Sequence, residues 1–375
     1  MLSVAIVGCG KIADAHASQI QRIKNCEIVA ACDREPLMAK QLCERFPIKQ
    51  HFTELKELLR SAQPDVVHIT TPPAGHFELA KLCLEHGANV YIEKPFTVYA
   101  AQAQELIDLA ENKGLKLTAG HNCQFSPAAR RMRELVKSGY LGEKAVHVES
   151  YYGYNLGDPS YTRALLGDKQ HWVRRLPGKL LQNIISHGIA RIAEFLTTDH
   201  PHIIAYGFVS PVLKSIGETD IIDELRVIIS DEQHTTAYFT FSSQMKPSIH
   251  ELRVYGSKNG LVFDDDHDIL LKLRGSKYKS FADKFIPPVQ LATQHFENLI
   301  ANAKLFMTND FHMDAGMKYL MESFYRSISE DTPLPIPYRE ILLTARIMDE
   351  VFQQLGAKES QDHLTYQNIE CENSQ

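Results

Sequence analysis

The sequence predicts an α/β protein of two domains: a doubly wound parallel sheet at the amino end, then an α/β domain built on a large, mostly antiparallel sheet. Three observations carry this reading. At 375 residues the chain exceeds what one hydrophobic core usually serves. Up to about residue 120, short apolar runs alternate with amphipathic stretches closed by glycine, which is the order of parallel strands joined by crossover helices. Beyond Gly142 the apolar runs lengthen and follow one another with a single helical interruption.

In chain order, the first half offers strands at 3–7, 27–32, 66–70, 90–92 and 115–119. Helical stretches at 77–86 and 100–113 stop at Gly87 and Gly114, as helices commonly do. In the second half, strands are expected at 144–154, 202–209, 224–230, 235–242, 250–255, 261–263 and 269–273, with Asn259 and Gly260 as the φ > 0 pair of a tight hairpin turn. One helix at about 179–196 interrupts this series, and three more, near 289–305, 314–329 and 338–355, follow it. The domains divide as 1–122 and 123–356, and the polar, aperiodic residues 357–375 read as a frayed tail.

Composition narrows the function. With 40 Lys plus Arg against 46 Asp plus Glu the formal charge is −6, and no basic block offers a footprint for nucleic acid. No run approaches the roughly 18 apolar residues that span a bilayer, and the opening MLSVAIVGCG has no charged leader or cleavage site, so a cytoplasmic location is expected. Seven scattered cysteines, never spaced C-x-x-C, read as reduced thiols. There is no H-E-x-x-H, and DDDHD at 264–268 lacks the glycine and closing glutamate of a calcium loop. A solvated hairpin tip is expected there, and no metal.

Two stretches carry chemistry. VAIVGCGKIADAH places G-x-G-x-x-A, as Gly8, Gly10 and Ala13, between the first strand and the first helix. The first glycine permits the tight turn, the second lets a pyrophosphate approach the backbone, and the alanine lets helix and strand pack closely. Lys11 and Ile12 complete this loop, over a helix amino terminus that favours anions. Asp33 lies 20 residues beyond Ala13 at the end of the second strand, where a carboxylate accepts ribose hydroxyls. It would repel a 2′-phosphate, which favours NAD over NADP; neighbouring Arg34 weakens that preference. The second stretch is NVYIEKP, where Pro95 stops an interior strand and presents Glu93 and Lys94 at its carboxyl end, the edge at which open α/β sheets bind ligands. In KLLQNIISHGIARIAEF, Asn183, His187 and Arg191 form a polar column at i, i+4, i+8 beside an apolar stripe. Taken alone, such a column belongs more often on a solvated face than in an active site.

GCGKIA, TPPAGHFELAKLCLEHGANVYIEKP, AGHNCQFSPAARRMRELVKSGYLGE, the helix carrying His187, and YGSKNGLVF together resemble the Gfo/Idh/MocA family, named for glucose-fructose oxidoreductase and inositol dehydrogenase. The resemblance runs from residue 1 to about 355. It implies a Rossmann domain followed by an α/β domain with an open sheet, NAD(P)-linked oxidation or reduction of a sugar, polyol or nucleotide-sugar hydroxyl, and a homodimer or homotetramer formed through that sheet. It further implies that Lys94 holds the substrate hydroxyl, that Glu93 lies beside the cofactor, that Thr71, Pro72 and His76 line the dinucleotide, and that Asn122 lies near both ligands. Where the family usually has an aspartate four residues before the histidine, this chain has Asn183. An amide orients a hydroxyl but takes no proton, so His187 is expected to act as general base, with an unperturbed pKa of about 6.5.

Between the first long strand and the helix, YYGYNLGDPSYTRALLGDKQHWVRRLPGK gathers aromatic and basic groups over the expected cleft. Tyr161 and Trp172 would contact substrate, and Arg163, Arg174 or Arg175 could take phosphates, which favours a nucleotide or phosphorylated sugar. The same rings also suit a packed loop or a subunit contact. Two other readings stay open: a dinucleotide-binding sensor or partner without turnover, which Asn183 keeps alive, and a reductase of a non-sugar carbonyl or imine.

Overall fold

A computed structural model describes residues 1–154, 156, 165–231, 235–275, 277–308 and 315–372, with side chains left aside at 315 and from 357 onward. Tyr161 and Arg163 lie outside the described residues.

Branched and aromatic runs build the first sheet. Strands β1 (Leu2–Val7), β2 (Cys26–Cys32), β3 (Gln50–Phe52), β4 (Val66–Ile69), β5 (Asn89–Ile92) and β6 (Leu117–Ala119) lie in the order β3-β2-β1-β4-β5-β6, every pairing parallel. Helices α1 (Lys11–Ile20), α2 (Pro36–Arg45), α3 (Leu55–Ala62), α4 (His76–Glu85) and α5 (Ala100–Lys113) make the crossovers. Val4, Ile6, Val67, Ile69, Val90 and Ile92 are fully buried, each stabilising the fold by about 1.5–3 kcal/mol. The order reverses between β1 and β4, which opens a crevice at the carboxyl ends of those strands. Three-residue β3, at the sheet edge and largely exposed, is too short and polar to show in the sequence pattern.

Helix α6 (Pro127–Lys137) leads into the second sheet: β7 (Ala145–Gly153), β8 (His202–Phe208), β9 (Glu224–Ser230), β10 (Thr236–Ser242), β11 (His250–Gly256), β12 (Asn259–Asp264) and β13 (Ile269–Arg274). The order is β13-β12-β11-β7-β10-β9-β8, antiparallel except where β7 meets β10. Val148, Val227, Phe239, Phe241, Leu252 and Val254 point to a common core. On the opposite face Val146, Ile204, Tyr206, Ile228 and Tyr238 are about half exposed. The interrupting helix is two, α7 (Lys179–Ile184) and α8 (Ser186–Ala193), separated at Ile185. Gly188 lets α8 approach the sheet, because a Cβ there would lie 2.4 Å from the Phe239 ring.

Three local expectations change. Asn259 and Gly260 are not the hairpin turn; they begin β12, where Gly260 pairs with Tyr255 across the ladder, and the turn passes through Ser257 and Lys258. Cross-strand register outweighs the turn preference of Asn-Gly. After the single turn α9 (Pro211–Ser215) and the long α10 (Ala282–Met307), α11 (Ala315–Ser329) returns to the first domain, adding Met317, Leu320, Phe324 and Tyr325 to its core. The last helix, α12 (Tyr338–Glu372), gives Ile341 to the first core and Ile347, Met348 and Val351 to the second, then runs on through the expected tail. Ala, Lys, Glu and Gln there are good helix formers, and a helix already nucleated extends easily. Among the described residues, no helix is long and apolar enough to cross a membrane.

Candidate active site

The crevice begins at the loop between β1 and α1. Gly8 has φ +94°, and a Cβ there would lie 2.7 Å from Thr71 Cγ2 and 2.8 Å from the Thr71 nitrogen. Gly8→Ala is therefore expected to destabilise the protein by about 1–3 kcal/mol and to weaken NADH binding, read by thermal melting and fluorescence titration. Gly10 differs: a Cβ there would meet nothing within 4 Å, and α1 starts just after it without a side-chain cap. That open space over a helix amino terminus fits a pyrophosphate. Ala13 is fully buried, while Lys11 and Ile12 are exposed in the first turn. Asp33 Oδ2 accepts the Cys9 N–H at 2.7 Å and Oδ1 accepts the Glu35 N–H at 2.9 Å, which fixes its carboxylate beside the loop. Arg34 is exposed next to it.

Thr71 and Pro72 follow β4 on the same rim, and Thr71 Oγ1 is buried with no partner among the described residues. His76 is a strut. Its Nδ1 lies 2.9 Å from the Pro95 oxygen and its Nε2 2.8 Å from the Thr71 oxygen, so the ring ties the ends of β4 and β5 together and is fully buried.

At the end of β5 the acid and the amine part company. Glu93 is buried, with Oε1 2.8 Å from His16 Nε2 and Oε2 accepting the Lys94 N–H at 3.2 Å. Its carboxylate is thus turned onto α1. Burial pushes the Glu93 pKa up, but the His16 hydrogen bond and the Lys94 charge outweigh it and hold the group below the usual carboxylate range. Lys94 is half-buried and its Nζ donates to the Asn183 backbone oxygen at 3.0 Å. Burial lowers its pKa, and Glu93 opposes that shift.

One turn beyond Asn183, His187 is 8% exposed, with its Nδ1 buried and without a partner among the described residues. Tyr152 stacks against it at 6.3 Å between centroids and His121 meets it edge-on at 6.1 Å. Burial, followed by Lys94, His121, Arg191 and His250, holds the His187 pKa well below the usual imidazole value. The expectation of an unperturbed base near 6.5 is corrected: this imidazole is neutral at pH 7. The polar column is likewise not a solvated face. Arg191 is 1% exposed, donates from Nη2 to Asp265 at 2.5 Å, and lies over the Phe263 ring at 5.2 Å. Periodicity shows which residues share a helix face, but not that a second sheet and domain cover it.

The acidic turn at 264–268 changes in the same way. It is a hairpin tip, yet Asp265 pairs inward with Arg191 and the Asp268 carboxylate accepts the Ala128 N–H at 2.8 Å. His121, which the sequence reading passed over, is 2% exposed, and neither ring nitrogen has a partner among the described residues. Burial lowers its pKa to about 4, Glu93 opposing and Lys94 adding to the shift. It follows β6 as Lys94 follows β5, so the strand-end rule that singled out Lys94 could also have found it. Asn122, next to it, is half-buried.

The substrate-side arginines differ in availability. Arg174 donates to Glu218 at 2.6 Å and to the Leu165 oxygen at 3.0 Å, which commits it to holding the loop; Arg175 is exposed. Trp172 is half-buried against the second core.

Known proteins resemble this chain in sequence over the first domain and in fold throughout. Residues 2–121 match the model of an oxidoreductase family with an NAD-binding Rossmann fold, GFO_IDH_MocA. D-glucoside 3-dehydrogenase of Escherichia coli (strain K12) is 34% identical over 143 residues, 38% of this chain and 41% of that protein. D-apiose dehydrogenase of Paraburkholderia graminis is 27% identical over 138 residues, 37% of each. These matches span about two-fifths of the relatives' lengths. Among solved structures, UDP-N-acetylglucosamine 3-dehydrogenase GnnA from Acidithiobacillus ferrooxidans superposes with TM-score 0.69 at 17% identity, covering 94% of this chain and 97% of that one. The WlbA dehydrogenase from Bordetella pertussis, in complex with NADH and UDP-GlcNAcA, gives 0.73 at 14% identity, covering 94% and 95%. The shared fold therefore extends through both domains.

Proposed function

We propose that this chain, whose residues 2–121 match the NAD-binding Rossmann model of the Gfo/Idh/MocA oxidoreductase family, transfers hydride between NAD(H) and a hydroxyl or keto carbon of a sugar, in the form of a nucleotide sugar. The observation that carries this reading is the convergence of Lys94 Nζ, the Asn183 turn, and the buried, neutral rings of His187 and His121 beside the carboxyl ends of the first sheet. The loop Gly8–Ala13 with Asp33, Arg34, Thr71, Pro72 and Asn122 would hold the dinucleotide. When bound, its nicotinamide accepts or returns the hydride. Lys94 stabilises negative charge developing on the substrate oxygen. Neutral His187 takes the hydroxyl proton in oxidation and returns it in reduction.

The nucleotide-sugar assignment draws on the two dehydrogenases of similar fold, on half-buried Trp172 and on exposed Arg175. The half-exposed apolar residues of the second sheet suit a contact between copies of the chain, and we assign the homo-oligomer to that face. The purified protein should oxidise or reduce a member of a panel of free sugars, nucleotide sugars and non-sugar carbonyls, followed by NADH absorbance. Tight NADH binding without hydride transfer across the panel would instead support the non-catalytic reading. Asp33→Ala removes a carboxylate that also organises the loop through the Cys9 N–H. It is expected to weaken NADH binding about 10- to 100-fold, the scale of a charged hydrogen bond, and to narrow the preference for NADH over NADPH.

A further inference from the structure

We propose that His16, His68 and Tyr325 are positioning residues: a directed row of buried hydrogen bonds, each donating towards Glu93, holds it as a carboxylate and thereby sets the Lys94 turn. The row crosses the first domain. Glu93 Oε1 lies 2.8 Å from His16 Nε2, His16 Nδ1 lies 2.9 Å from His68 Nδ1, and His68 Nε2 lies 2.7 Å from the Tyr325 hydroxyl. The four groups come from the end of β5, α1, β4 and α11, and none is more than 6% exposed.

The chemistry of the groups dictates the direction. A neutral imidazole carries one N–H and one acceptor nitrogen. Because two Nδ1 atoms face each other, exactly one of them bears a proton, so His16 and His68 are opposite tautomers. With both rings neutral and Glu93 ionised, the row reads Tyr325 O–H to His68 Nε2, His68 Nδ1–H to His16 Nδ1, and His16 Nε2–H to Glu93. Reversing it needs one more proton, on Glu93, and leaves the Tyr325 hydroxyl proton in search of another acceptor. Burial disfavours charge on His68, and the row as proposed holds both imidazoles neutral. Tyr91 stacks on His68 at 4.6 Å and meets His16 edge-on, fixing both rings.

Other titratable groups also face the row. His76 from α4, His121 after β6, Tyr91 on β5 and Lys94 just beyond it act on Glu93, while Cys26 faces Tyr325. Among the described residues, only His16 bonds the Glu93 carboxylate from another element. Gly120 presses on that carboxylate, since a Cβ there would lie 2.7 Å from Oε1. Held this way, Oε2 receives the Lys94 N–H and keeps a negative charge beside the ammonium. The catalytic consequence rests on Lys94 holding the substrate hydroxyl; the row itself does not.

The test has two parts. Long-range proton–nitrogen spectra of the ¹⁵N-labelled full chain at neutral pH are expected to show His16 as the Nε2–H tautomer and His68 as the Nδ1–H tautomer. The reversed pair, or an imidazolium at either position, overturns the row. This readout stands even if no hydride transfer is found, in which case the proposed function fails and the row does not. For the catalytic consequence, His16→Leu is expected to move the acid limb of the turnover profile up by about one pH unit. His16→Gln, whose amide can still donate to Glu93, should stay within about 0.3 unit of wild type. Tyr325→Phe, which cuts only the far end, should shift the limb less and in the same direction. Wild-type profiles in both His16→Leu and Tyr325→Phe would overturn the positioning role; should His16→Leu not fold, His16→Gln and Tyr325→Phe decide it.

Discussion

Lys94→Ala is expected to slow hydride transfer by about 10²–10³-fold, the cost of removing one preorganised donor from a developing oxyanion, while NADH still binds. The expectation follows from where the side chain sits. It is half-buried, its Nζ reaches the Asn183 oxygen, and Glu93 lies on the other side of its backbone. A compact ammonium on a flexible stem suits this spot better than a planar guanidinium, so Lys94→Arg should recover little. Single-turnover rates against NADH titrations separate the two effects. A variant that loses binding but not rate would place Lys94 in cofactor recognition alone.

His187→Ala is expected to cut turnover by about 10²-fold or more, and near-normal rates would remove it from the role of base. Its environment also predicts how pH acts. The folded-state pKa lies well below the ordinary imidazole value, first because the ring is buried and then because Lys94 and other cations surround it. Below about pH 6.5 the unfolded chain therefore binds a proton that the folded chain refuses, so stability falls as pH drops through that value and is fully present above it. His187→Gln should flatten the dependence of Tm on pH between about 7 and 5, measured by calorimetry. The same sign applies to His68, His76 and His121, which burial also depresses, so the slope shrinks with His187→Gln but does not vanish.

Much of the candidate site was legible because its parts are local. The phosphate loop and Asp33 occupy neighbouring strand ends, and NVYIEKP announces a strand, its end and the two groups beyond it within seven residues. What sequence reasoning missed is nonlocal. Asp265 sits in what looks like a solvated tip until Arg191, 74 residues away, is placed against it. His16 and Tyr325 lie on helices far apart along the chain, and nothing in either helix signals that one strand histidine joins them.

Taken by itself, then, the amino-acid order determined two sheets of different kind, the dinucleotide loop, and the strand end that bears Lys94, because periodicity and turn chemistry act over a few residues. Tertiary structure alone decided that the His187 column is buried, that Glu93 faces α1, and that α11 returns to the first core. The physical reason is that burial and charge depend on what covers a group. Here the cover comes from elements distant along the chain: Asp265 and Phe263 of the β12–β13 hairpin on Arg191, α1 on Glu93, and α11 on the first core.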